Sequence, residues 1–244
     1  MKKLILCMIC LISLNSVSFA KDIKLSDTQL KEAIQAKLTQ QLGDKKIADT
    51  LSTFIMDDVL TWEPRTIDID KANSILAFSF GNGHAINGNQ TPGKMNEELA
   101  DFVVEIYNKI HKPVYAQWEI AQSIGNRIPA ESLHSIYPTV DKGGNLIYLN
   151  TEGVALDAVK QAGGFNEMGT TLVVAFREHV LRAVNTSVDA GLKAYAPAGY
   201  NLPDKYDKNS GQPWTRDKIT FILYEIRTRA NIFREKLNGK IYKK

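Results

Sequence analysis

The sequence predicts an α/β fold: a Rossmann-like three-layer α/β/α domain with a mainly parallel sheet of about five strands, plus N-terminal helices. Two observations carry this. Short apolar runs alternate with helical patterns from Asn73 to Ala196, the order that builds a parallel sheet between helical layers. One of these runs, Thr171–Phe176, is unbroken and rich in β-branched residues, as expected of a strand covered on both faces. Polar residues follow it at once, and the mouth of such a strand is where open α/β sheets bind ligands.

The chain opens with Met1, Lys2 and Lys3, an apolar run from Leu4 to Leu14, and small residues at Ser18 and Ala20. This is a signal-peptide pattern with cleavage expected after Ala20, which predicts a periplasmic or secreted protein. Retention of the leader as an anchor is the alternative. Both cysteines, Cys7 and Cys10, fall inside residues 1–20. Residues 21–244 therefore offer neither a disulfide nor a thiolate nucleophile. Losing Lys2 and Lys3 removes two of the three net positive charges. The near-balance that remains gives no argument for a nucleic-acid partner.

Residues 21–244 read as a single domain, with 21–65 as a helical extension. Ser26 or Asp27 caps a first helix bearing Leu30, Ile34 and Leu38, and Gly43 ends it. A second helix carries Ile47, Leu51, Phe54 and Val59. Asn73–Phe80 is the first strand. The loop Gly81–Gly93, rich in glycine and asparagine, leads into a helix with an apolar stripe of Met95, Leu99, Phe102, Val103, Ile106 and Ile110. Pro113–Gln117 is a second strand. Ala121–Val140 gives no clear pattern, and its prolines argue against one long helix. Asn145–Leu149 reads as the third strand and Thr151–Ala162 as a helix stopped by Gly163-Gly164. Thr171–Phe176 is the fourth strand, His179–Ala190 its helix, and Leu192–Ala196 the fifth. After a polar loop, Trp214 or Thr215 opens a C-terminal helix. Its basic residues, Arg227 to Lys244, form a solvated face or at most make weak contact with a membrane surface.

Candidate chemistry gathers at the expected strand mouths. The Gly81, Asn82, Gly83, Asn87, Gly88 backbone could cradle an anion ahead of a helix N-terminus, or simply form a long turn. Dinucleotide and Walker spacings fail, because Ile86 and Met95 stand where glycine and Ser or Thr are needed. His179 and Arg182, three apart on one helix face, could together hold a phosphate or carboxylate, and His179 could act as an acid or base. The bland reading pairs Arg182 with a carboxylate. Glu119, just after the second strand, is the candidate base. Asn150, Thr151 and Glu152 follow the third strand and should face the same crevice. No pattern suggests a dedicated metal site.

The chain resembles the YdcF-like family, a domain of unknown function that includes the envelope proteins SanA and ElyC. The likeness rests on Gly81-Asn82-Gly83 with Asn87-Gly88, the helix from Thr151, the segment His179-Val-Leu-Arg182-Ala183, and Trp214 with Glu225. The family's Ser-Gly-Gly after the second strand is replaced here by Gln117-Trp118-Glu119, and the proline of its H-x-P-R by Leu181. The resemblance implies a Rossmann-like fold, a role in the cell envelope, and a nucleotide-like ligand such as S-adenosylmethionine. It brings no agreed reaction. Three expectations stand: binding of a small anionic ligand, hydrolysis or transfer at a phosphoryl or acyl group, and a non-catalytic interaction module.

Overall fold

The computed structural model describes residues 25–140, 142–143 and 146–239. The expected leader lies outside the described residues, as do Lys240, Lys243 and Lys244 at the basic C-terminus.

The chain divides into two compact units at Thr53/Phe54. In the first, α1 (Asp27–Leu42) starts from a capping box in which Ser26 and Gln29 satisfy each other's backbone N–H groups. It ends at Gly43, whose φ of 69° is left-handed. Helix α2 (Lys45–Phe54) follows and runs across the boundary. The π-helical turn Ile55–Leu60, within the expected 21–65 extension, belongs to the second unit.

The second unit is built on one sheet. Its strands are β1 (Thr66–Ile67), β2 (Ser74–Ala77), β3 (Val114–Gln117), β4 (Leu133–Ile136), β7 (Thr170–Val174) and β8 (Lys193–Pro197). They lie in the order β1-β8-β7-β2-β3-β4, and every pairing is parallel. From β2 the chain first runs outward through β3 and β4. It then crosses back to β7 and β8 on the other side. The topological switch point therefore lies between β2 and β7, where such sheets place ligands.

The order corrects one expectation. Of the run expected at Asn145–Leu149, Asn145 lies outside the described residues and the rest does not enter this sheet. Its Leu146–Ile147 (β6) pairs antiparallel with Thr139–Val140 (β5) in a separate two-stranded ribbon. The place next to β3 is taken by β4, from the stretch that showed no clear pattern.

Side-chain alternation distributes the strands over two cores. Ile75, Ala77, Val114, Ala116, Leu172 and Val174 point to one face, against α3 (Lys94–Ile110), α4 (Trp118–Ile124) and Phe221 of α8 (Lys218–Leu237). Leu76, Phe78, Val173 and Ala194 point to the other, against α5 (Thr151–Ala162), the short α6 (Phe165–Met168) and α7 (Val180–Asp189). The apolar stripe of α3 is buried as its spacing predicts: Met95, Leu99, Val103 and Ile106 are each 3 % exposed or less. The fold is thus the three-layer Rossmann-like arrangement. Among the described residues, no helix is long and apolar enough to cross a membrane.

Candidate functional site

A cleft of about 410 Å³ opens at the carboxyl ends of β2, β3 and β7. Ser79, Phe80 and Gly81 enter it from β2. Gln117 and Glu119 enter from the β3–α4 junction, and His179 and Arg182 from β7 and α7. The first residues of α5 form a further wall with Asn150, Thr151 and Glu152. Trp214, Tyr224 and Phe221 close the last side, with Trp214 and Tyr224 stacked at 5.7 Å.

Seven of the eleven expected site residues therefore meet: Gly81, Glu119, Asn150, Thr151, Glu152, His179 and Arg182. Asn82, Gly83, Asn87 and Gly88 do not line this cleft. Asn82 and Gly83 pack against Gly211 and Gly93. The Asn82 carbonyl accepts from the Gly211 N–H at 2.8 Å, and Gly83 donates to the Thr91 carbonyl at 2.9 Å. Asn87 and Gly88 form an exposed turn between the bridged residues Ile86 and Asn89. Glycine is needed in this loop for close backbone packing and turning. The expected anion cradle reduces to Gly81.

Arg182 is held from two sides. Its Nε donates to both carboxylate oxygens of Glu225, at 2.9 Å each, and its Nη1 donates to Thr151 Oγ at 2.7 Å. Glu225, fully buried on α8, also accepts from Arg229 Nε at 3.2 Å. Arg229 lies over the Trp62 ring at 4.2 Å and donates from Nη1 to the Asp58 and Thr61 carbonyls. Two guanidiniums thus share one carboxylate, with the Asp58 charge also acting on Arg229. The Nη2 of Arg182 makes no hydrogen bond among the described residues.

His179 precedes α7 as its cap residue and is 6 % exposed. Burial lowers its pKa well below the ordinary imidazole range, and the charges of Arg182 and Arg229 push the same way. It is therefore neutral. His179 and Arg182 line the same cleft as expected, and of the two Arg182 carries the charge. His179 Nδ1 is buried without a partner.

Glu119 stands in the first turn of α4 and is 3 % exposed. Burial raises its pKa to about 7, partly offset by its own backbone N–H and by the Ser79 side chain. Its Oε2 is buried without a hydrogen-bond partner. The carboxyl can therefore hold or release a proton near neutral pH, as a general base must.

The N-terminus of α5 faces the same space. Asn150 Oδ1 accepts from the Gly153 N–H at 2.7 Å. Thr151 and Glu152 open the helix, where first-turn amides have no intrahelical partner.

Reasoning from the sequence missed Ser79, Gln117 and the Trp214–Tyr224 wall as lining residues. Ser79 carried one usable signal, its position just past the first strand. Among the described residues, no group of three or more His, Cys, Asp or Glu side chains could hold a metal ion. Comparison with known proteins finds no matching family model, no matching curated protein and no matching solved structure.

Proposed function

We propose that this cleft binds a small ligand carrying an anionic group, nucleotide-like or phosphorylated. The anion rests against Arg182, the Thr151 hydroxyl and the open amides of α5, where a guanidinium edge and a helix N-terminus act together. A planar group of the ligand lies against Trp214, whose ring stacks on Tyr224. One observation carries this reading. Glu119 Oε2 and His179 Nδ1, both buried without partners, belong to residues lining one cleft. A buried unpaired polar group costs about 1–3 kcal/mol, a cost that a ligand or its bound water relieves. In an exported chain resembling the YdcF-like family, this binding serves cell-envelope homeostasis.

Calorimetry with adenosine monophosphate, S-adenosylmethionine and inorganic phosphate tests the proposal. At least one of the three should bind the wild-type protein. Arg182→Lys, which keeps a charge but loses the fork, should weaken binding of the same probe about tenfold, the worth of one charge-assisted hydrogen bond. Absence of heat and of any melting shift with all three probes counts against this reading.

A second reading, hydrolysis or group transfer in the same cleft, is favoured by one observation: the Glu119 carboxyl is pushed up to about 7 beside the Ser79 side chain.

A further inference from the structure

We propose that Ser79 is a nucleophile for acyl transfer and Glu119 its general base, acting on an acyl ester whose anionic end is held at Arg182. The proposal rests on the cleft being the ligand site. Ser79 lies two residues beyond the central strand β2, half-buried, and lines the cleft. Its flanking residues Phe78 and Phe80 are buried in the cores on either face of the sheet. Its backbone is fixed. The Ser79 N–H donates to Gln117 Oε1 at 2.8 Å, and the next N–H, of Phe80, donates to Asn96 Oδ1 at 2.8 Å. Ser79 and Glu119 line the same cleft from the mouths of the adjacent parallel strands β2 and β3, the placement from which a carboxylate can activate a hydroxyl nucleophile. Glu119 Oε2, buried without a hydrogen-bond partner, leaves an acceptor for a hydroxyl proton.

The charge distribution favours an acyl group over a phosphoryl group. Phosphoryl transfer spreads charge over several oxygens and needs multiple cations. Here the lining guanidinium is already paired with Glu225, and Glu119 and Glu152 line the same cleft. An acyl intermediate develops a single oxyanion, which one or two fixed N–H donors can meet. Gly81 lines the cleft, and its N–H makes no hydrogen bond among the described residues.

In the first step Ser79 Oγ bonds to the ester carbonyl carbon while its proton passes to Glu119. Collapse of the tetrahedral intermediate breaks the bond from that carbon to the leaving oxygen, which takes the proton back from Glu119. Water then attacks the acyl-serine and gives its proton to Glu119. Breaking the acyl–Oγ bond releases the carboxylic acid, and the proton returns to Ser79.

A fluorophosphonate probe on the full chain tests this assignment. Peptide mapping should place a single covalent adduct on Ser79. Ser79→Ala should abolish labelling, and Glu119→Gln should slow it about 100-fold, the usual contribution of a general base. The labelling rate should rise with pH through about 7. No adduct on the wild-type protein, an adduct at another residue, or undiminished labelling of Ser79→Ala overturns the assignment. Calorimetry with adenosine monophosphate, S-adenosylmethionine and inorganic phosphate on the wild-type protein separates the two claims. Wild-type binding without any adduct removes the nucleophile and leaves the ligand site standing.

Discussion

The guanidinium of Arg182, on α7, contacts both carboxylate oxygens of Glu225, on α8, through a single nitrogen, at 2.9 Å each. The two residues come from helices on opposite faces of the sheet and meet beyond its carboxyl edge. The carboxylate is fully buried and the Arg182 side chain is 12 % exposed. This contact joins the two helical layers at the cleft.

Removing the shared carboxylate should be costly. Glu225→Gln leaves Arg182 and Arg229 as neighbouring guanidiniums in a largely dry environment. Breaking a buried pair from one side typically costs about 3–5 kcal/mol. Chemical denaturation should show a loss of that order. A loss below about 1 kcal/mol would mean that solvent screens the cluster.

Stability should depend on pH with two opposing slopes. Glu119 has its pKa raised from 4.5 to about 7, so the unfolded chain ionises before the folded one. The folded state is therefore penalised increasingly as pH rises from about 4.5 to about 7, by about 3 kcal/mol in total. His179 has its pKa lowered well below 6.5, so the unfolded chain takes up a proton first, and stability falls as pH drops below about 6.5. Glu119→Gln should flatten the first slope and expose the second. His179→Gln should do the reverse. Melting temperatures from pH 4.5 to 8 measure both, and identical profiles for the two variants would contradict the assignment of either group.

Gly93→Ala should destabilise more than Gly88→Ala. Both glycines have left-handed φ, 83° and 80°. A Cβ at Gly93 would lie 2.6 Å from the Gly83 backbone nitrogen, whereas Gly88 has open space. Left-handed strain alone costs about 1–2 kcal/mol; a backbone clash adds to it, because main-chain atoms cannot rotate away. Equal losses in urea titrations would mean that the loop relaxes freely.

Much of this architecture is legible in the sequence, because periodicity and capping are local. The apolar run after Met168, the stripe of α3 and the left-handed Gly163 cap each appear where the residues indicate. Strand β4 escaped because Leu-His-Ser-Ile is half polar: it is an edge strand with three of its four residues only partly buried. Leu146–Ile147 pairs into a small ribbon, and nothing local in the apolar run distinguishes that use from a place in the main sheet. The site is legible where strand mouths define it, at Glu119, His179 and Arg182. It is not legible where partners are distant in sequence: 43 residues separate Arg182 from Glu225. The glycines after Gly81 misled because dense backbone packing and anion binding call for the same residue.

Asn96, fully inside the protein near the start of α3, ties its amide to the Phe80, Gly81 and Pro92 carbonyls and to the Phe80 N–H. Together with Gln117 it prolongs the sheet's bonding past the last true strand pair, using side chains in place of a neighbouring backbone. The floor of the cleft is thus pinned by an amide of the opposite helical layer that never reaches solvent. Exchanging this asparagine for leucine would loosen residues 79–81 without altering a single group that a ligand could touch.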